Sequence, residues 1–323
     1  MRMIALVMLL AVALASEPAA AQTGYPTKPI DIIVGFAPGG GADVAARLIA
    51  SYASKKWGQA VNVVNMPGAS GITGALRAFG ARPDGYTLLL EPHATASMLF
   101  AVESDVPFKL DGKTPIALIT LDPVIYTVKY DSPWKTLHDV AAAAKADPKS
   151  FRYGLAGVAA VATFSVAQFL FTAGVPVAET NRVMFTGGAP VVTALAGGHI
   201  DFAGQQWSES AGLIQGKKIR GLAVVHTARL PGLPEVPTAK EVGFPQLDVV
   251  GWQGLSGPPR LPPTIVQKWN ALIAEAAKDP AFIEQATKVN KIIAYKPADE
   301  FWKFQQDELK RYLPLATAMG LRK

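Results

Sequence analysis

Residues 30 to 47 read Ile30-Asp31-Ile32-Ile33-Val34-Gly35-Phe36-Ala37-Pro38-Gly39-Gly40-Gly41-Ala42-Asp43-Val44-Ala45-Ala46-Arg47. A short apolar strand runs into three consecutive glycines, and an acidic residue opens a helix on their far side. A turn without β-carbons can adopt φ > 0 and lets a ligand approach its N–H groups. A helix starting near Asp43 aims the positive end of its dipole at the same spot. The stretch predicts a receptor for something small and anionic; a tight turn with no ligand is the plainer alternative. A dinucleotide site is disfavoured, because Val44 replaces the third glycine or alanine and no acidic residue follows the strand at 61–65. A P-loop fails for want of Gly-Lys-Ser/Thr after the turn.

Outward from this stretch the pattern repeats. Strands are predicted at Ile30–Val34, Val61–Val64 and Tyr86–Leu90, with helices at Val44–Ser54 and from the turn Pro67-Gly68-Ala69-Ser70-Gly71 to Gly80. Such spacing implies right-handed βαβ units and a parallel sheet, with ligands bound beyond the carboxyl ends of the strands. Past Asp122-Pro123 a second set follows. It has strands at Val124–Val128, Phe151–Leu155, Val183–Phe185, Ile200–Ala203 and Ile219–Val225, and helices at Trp134–Ala146, Thr163–Thr172 and Val191–Ala196. A proline-rich return over 229–237, an extended stretch Val249–Gly257 and helices Pro263–Lys278 and Ala298–Ala318 complete the chain. The expected organisation is a leader at 1–21, a first lobe from 22–124 and 249–323, and a second lobe from 125–248.

Composition narrows the class. The chain has 323 residues, 50% hydrophobic and 17% charged, enough for a substantial core. The formal charge of +6 is scattered, with no basic run or DNA-binding motif, so no nucleic-acid partner is expected. Arg2, the apolar run 3–15 and Ala19-Ala20-Ala21 read as a cleavable secretory leader with a cut ahead of Gln22. Cysteine is absent, which excludes disulfides, thiolate metal sites, cysteine catalysis and a lipidated N-terminal cysteine. A periplasmic location, no cofactor and no metal follow as expectations.

Six segments then carry a resemblance: Tyr25-Pro26-Thr27-Lys28-Pro29-Ile30; 36–43; Asn65-Met66-Pro67-Gly68-Ala69-Ser70-Gly71; Pro83-Asp84-Gly85-Tyr86-Thr87-Leu88-Leu89; Thr186-Gly187-Gly188-Ala189-Pro190 with Gly197-Gly198-His199-Ile200-Asp201; and Leu233-Pro234-Glu235-Val236-Pro237-Thr238. In this order they make the chain resemble a Bug-type solute-binding receptor of the tripartite tricarboxylate transporter system. The resemblance implies an α/β, two-lobed periplasmic-binding-protein fold (type II-like), each lobe a mainly parallel sheet flanked by helices, with a ligand cleft between. It implies a monomeric receptor that delivers a small-molecule carboxylate to membrane permease subunits. It also implies that backbone N–H groups from the first glycine loop and the facing lobe hold that carboxylate. The local residues agree, since 36–43 contains no Lys or Arg. Each charge-assisted bond to a carboxylate is worth about 1.5–3 kcal/mol net.

The candidate ligand-binding residues are Phe36, Ala37, Pro38, Gly39, Gly40, Ala42 and Asp43 in the first loop. His93 and Thr95 follow the third strand, and Ala159, Thr163, Gly187, Gly188, Gln205 and Trp207 belong to the other lobe. Asp43 has two readings, a ligand contact or a helix cap pairing with Arg47 four residues on. Glu91 and His93 make a poor metal site, with no third ligand nearby. Relatives usually carry a glycine–serine loop ending in histidine where this chain has Gly157-Val158-Ala159-Ala160-Val161-Ala162-Thr163, leaving Thr163 as the polar survivor. With Trp207 available to stack, the expected ligand is a monocarboxylate with an apolar or aromatic body rather than citrate. Trp207 as packing is the alternative. A periplasmic sensor that presents the acid to a signalling protein is a second function. An enzyme is the least favoured, since the four histidines form no nucleophile–base constellation.

Overall fold

Strand β1 (Ile30–Val34) is buried along nearly its whole length, as a run of Ile and Val without alternation demands. It pairs in parallel with β2 (Val61–Asn65) and β3 (Thr87–Pro92) in this computed structural model, which describes residues 24–185 and 187–322. The expected leader and cut ahead of Gln22, and Thr186 of the third glycine turn, lie outside the described residues. Helix α1 (Gly41–Trp57) follows β1 and buries Ala42, Ala45, Ala46, Ile49, Ala50 and Ala53 at helical spacing. It starts before the predicted Val44. It runs past Ser54 until Gly58 takes the left-handed conformation and returns its N–H to the Ser54 carbonyl. Helix α2 (Ile72–Phe79) follows β2, and β3 continues through a π-turn at Ala94–Met98 into α3 (Leu99–Val102).

Strand β4 (Thr114–Asp122) passes through Pro123 directly into β5 (Val124–Lys129), and this is the first crossing between the two halves. Helix α4 (Leu137–Ala146) begins three residues later than expected. There Thr136 and Asp139 form a capping box, with the Thr136 hydroxyl accepting the Asp139 N–H at 3.1 Å and the Asp139 carboxylate accepting the Thr136 N–H at 2.9 Å. Thr136→Ala is expected to lower stability by about 1 kcal/mol, measurable as a shift in urea midpoint at unchanged m.

The second half continues with β6 (Arg152–Leu155), α5 (Val161–Thr172), β7 (Asn181–Met184), α6 (Gly188–Ala196), β8 (Ala203–Gln206), α7 (Trp207–Gln215) and β9 (Ile219–Val224). Strand β8 lies three residues beyond the predicted Ile200–Ala203. The segment before it serves β6, through a bridge between Tyr153 and Phe202, before the chain turns to pair with β5. After the return come β10 (Gly251–Gly257), α8 (Pro263–Ala276), α9 (Pro280–Lys288), β11 (Ile292–Pro297) and α10 (Ala298–Ala318). The predicted helix Pro263–Lys278 thus ends at Ala276, and β4, α3, α7, α9 and β11 are additions to the expected set.

The first sheet has the order β11-β4-β10-β3-β1-β2. Its β1 pairings are parallel, whereas β10 runs against β3 and β4, and β11 against β4. The two-lobed α/β fold stands, but a mainly parallel sheet in each lobe does not. Strand β10 re-enters from the other half and so opposes both neighbours. In the second half β5 runs antiparallel between β8 and β9, and only β6 and β7 pair in parallel.

Two large cores result. One packs Ile30, Ile32, Leu88 and Leu90 beneath Ile49 and Trp269. The other gathers Tyr126, Tyr153, Phe164, Phe169 and Phe202. Helix α10 touches both halves. Phe301 meets Trp252 of the first sheet edge-on with ring centroids 5.3 Å apart, while Tyr312, Leu315, Ala316 and Met319 join the second core. Pro314 stands inside this helix.

Candidate functional site

A cleft of about 610 Å³ opens between the two halves, at the carboxyl ends of β1, β3, β6 and β8. The first half contributes Phe36, Ala37, Pro38, Gly40, Ala42 and His93, and the second contributes Ala159, Gly187, Gly188 and Gln205, all predicted. Among the described residues, the lining contains no Lys or Arg. The fold explains how the loop is held. At Gly71, with φ +93°, a Cβ would fall 2.4 Å from the Thr95 methyl and 3.0 Å from the Phe36 ring. Only glycine allows the second glycine turn to sit flat against Phe36 and present that ring to the cleft.

Three helices direct their N-termini into this space: α1 through Gly40 to Ala42, α5 through Ala160 to Ala162, and α6 through Gly187 and Gly188. None of the three has a side-chain cap. At α1 the first helical bond runs from the Val44 N–H to the Gly40 carbonyl, so the first-turn amides before Val44 have no intrahelical acceptor. Uncapped first turns carry partial positive charge, so the ends of α1 and α5, one from each half, make the lining attractive to an anion without a cation, whereas the end of α6 faces the Glu209 carboxylate.

Five predicted residues lie elsewhere. Gly39 does not line the cleft, and its N–H is already held by the Asp43 carboxylate at 2.9 Å. Asp43 is buried beside Arg47, which donates twice at 2.9 and 3.0 Å, and beside the Asn65 amide at 2.9 Å. Against the desolvation of burial, the hydrogen bonds from Arg47, Gly39 and Asn65 hold its carboxyl below the usual range. Asp43 is therefore a brace for the loop. Thr95 donates to the Pro92 carbonyl at 3.2 Å and Thr163 to the Gly157 carbonyl at 2.5 Å, so each hydroxyl is spent locally. Trp207 is buried among Ile125, Leu230 and Leu233 in the second half. The rings at the cleft are Phe36 and Phe185 instead.

Several lining groups escaped sequence reasoning: Gly41, Ser70, Phe185, Gln206, Glu209 and Gln253. Gln206 belongs to a buried cluster that ties the halves together. Its amide, at 3.0 Å, and the Ser208 hydroxyl, at 2.5 Å, donate to Asp122. Lys291 donates to the same carboxylate at 2.6 Å. This lysine is the cation beneath the α1 terminus, its Nζ 3.0 Å from a Cβ built on Gly41, and its charge is spent on Asp122. His93 accepts the Trp252 N–H at 3.1 Å through Nδ1. Burial pushes its pKa down to about 4, against the Trp252 bond and the Asp122 charge, so it is neutral at pH 7. Glu91 is consumed by Lys113, the Ser256 hydroxyl and the Gln305 amide. No group of three His, Asp or Glu among the described residues is placed to hold a metal.

Comparison with known proteins bears on this arrangement. The model of the tripartite tricarboxylate transporter family receptor matches residues 45–321. A protein of Agrobacterium vitis, from the TAR-I ttuE-ttuC' intergenic region, is 34% identical over 268 residues, 83% of this chain and 76% of that one. A Rhodopseudomonas palustris protein solved with adipate superposes with a TM-score of 0.82 at 25% identity, covering 92% of this chain and 98% of its own. MatC from the same organism, solved with bound malate, gives a TM-score of 0.77 at 28% identity, covering 90% and 99%.

Proposed function

We infer, from the premise that this chain belongs to the tripartite tricarboxylate transporter receptor family, that it is a periplasmic receptor for a small organic carboxylate. It is a receptor and not an enzyme, as its family is. The supporting observation is the convergence of the uncapped N-termini of α1 and α5, one from each half, on a cleft without a lining cation. The solute's carboxylate sits against the first-turn amides of α1, and its body lies between Phe36, Phe185 and the alanines of 159–162. Two lobes, 22–124 with 249–323 and 125–248, close over it by turning about the crossing at Pro123 and the return segment before β10. The closed monomer then delivers the acid to membrane permease subunits. Adipate and malate on the two Rhodopseudomonas proteins support the carboxylate class. The apolar lining supports a monocarboxylate with an apolar or aromatic body.

The test is a thermal-unfolding screen against mono-, di-, tri- and aromatic carboxylates. A true ligand at a hundredfold excess over Kd stabilises the protein by about 2.7 kcal/mol. Absence of any shift across the panel overturns the carboxylate reading. Citrate binding tighter than every apolar or aromatic acid overturns the reading of the body.

A further inference from the structure

Glu209 lies in the first turn of α7 and lines the cleft on the second-lobe side. Its carboxylate turns back onto the N-terminus of α6. A Cβ built on Gly188 would stand 1.9 Å from Oε2 and 2.6 Å from Oε1. One of the three anion-attracting helix ends is therefore already occupied by the protein's own negative group. Among the described residues, Glu209 makes no hydrogen bond. On the same wall, Gln205 is 1% exposed and its Nε2 is buried without a partner. That wall thus carries a half-buried carboxylate with no protein donor among the described residues, and a buried amide donor with no acceptor. A buried amide N–H is seldom left so, and a ligand that accepts from Gln205 and donates to Glu209 is the simplest completion.

We propose that Glu209 is the specificity-determining residue of the cleft, and that it selects a monocarboxylate carrying an ammonium group at its far end over a dicarboxylate of the same length. This rests on the carboxylate-receptor reading above. The ammonium donates to Glu209, Gln205 donates to the solute's acceptor, and the carboxylate keeps to the α1 terminus. A second carboxylate would face Glu209 directly, and like charges at that range repel. The charged groups that act on Glu209 are Asp122 and Lys291. Burial first, then the Asp122 charge, raise the Glu209 carboxyl to about 7, with Lys291 acting in the opposite sense. Glu209 is thus more fully ionised above neutrality, while His93 stays neutral throughout.

The experiment is calorimetric titration of the protein with two matched sets: hexanoate, 6-aminohexanoate and adipate; and benzoate, 4-(aminomethyl)benzoate and terephthalate. In whichever set binds, the ammonium member is expected to bind at least tenfold tighter than the diacid. That ratio is expected to grow from pH 6 to pH 8. Glu209→Gln is expected to remove the preference while leaving the folded thermal transition in place. A diacid that equals or exceeds its ammonium counterpart in the wild type overturns the proposal alone, as does a ratio unchanged by Glu209→Gln. Failure of all six acids to bind, while another acid of the thermal screen does, overturns the proposal alone; absence of any shift across that whole screen overturns the carboxylate-receptor reading with it.

Discussion

Replacing Gly40 with valine is expected to weaken carboxylate binding at least 100-fold, about 2.7 kcal/mol, while the protein still folds. Gly40 is the N-cap of α1 with φ −75° and ψ 168°, an extended conformation that valine adopts without strain. Its Cβ would meet only the Ala37 carbonyl oxygen, at 3.4 Å. The two added methyls therefore occupy the mouth of the first turn, where the solute's oxygen must reach the amides. Losing one or two charge-assisted bonds of about 1.5–3 kcal/mol each accounts for the size of the effect. The cost to folding is about 1 kcal/mol, because valine is a poor N-cap. Gly40→Ser is the sharper control. A serine hydroxyl caps the helix, holds stability level, and still competes with the solute for the same N–H groups. Calorimetry beside urea unfolding separates the two effects. Wild-type affinity in Gly40→Val would remove the α1 terminus from the site.

The second large effect is on stability. Lys291→Met is expected to cost about 3–5 kcal/mol, because it leaves the Asp122 carboxylate buried without its cation. Both side chains are 0% exposed, and the Gln206 and Ser208 donors that remain are neutral. The double variant Lys291→Met with Asp122→Asn is expected to recover a large part of the loss, since a neutral amide no longer needs the counter-charge. Urea unfolding of the four members of this cycle measures the coupling. A single-variant loss below 1 kcal/mol would show that water, and not the lysine alone, satisfies Asp122.

The strand–turn–helix at 30–57 was legible because Ile and Val cluster, three glycines break them, and the alanine face repeats at helical spacing. The bounds of β1 came out as expected for that reason. Strand β4 was not legible. It is mostly buried with no alternation, and it runs through Pro123 into β5 without the glycine break that marks the end of β1. Strand β11 was hidden for the opposite reason, being half-buried at every position. Trp207 and Thr163 misled because aromatic and hydroxyl groups in a facing loop suggest contact. Packing on Leu233 claimed the first and the Gly157 carbonyl claimed the second. Glu209 had no signal at all. A lone acid in a helix reads as a solvent-facing charge, and nothing in its spacing says that it folds back over Gly188.

The final helix ties Phe301 to one body and Tyr312 with Leu315 to the other. Under the closure proposed above, a rod fastened to both parts must itself flex. Pro314 has no N–H for the Lys310 carbonyl, so this rod lacks one rung at its second mooring, between Tyr312 and Leu315. Beside the two chain crossings, the last helix is thus a third member that joins the two cores, with an imino acid at the point where it enters the second.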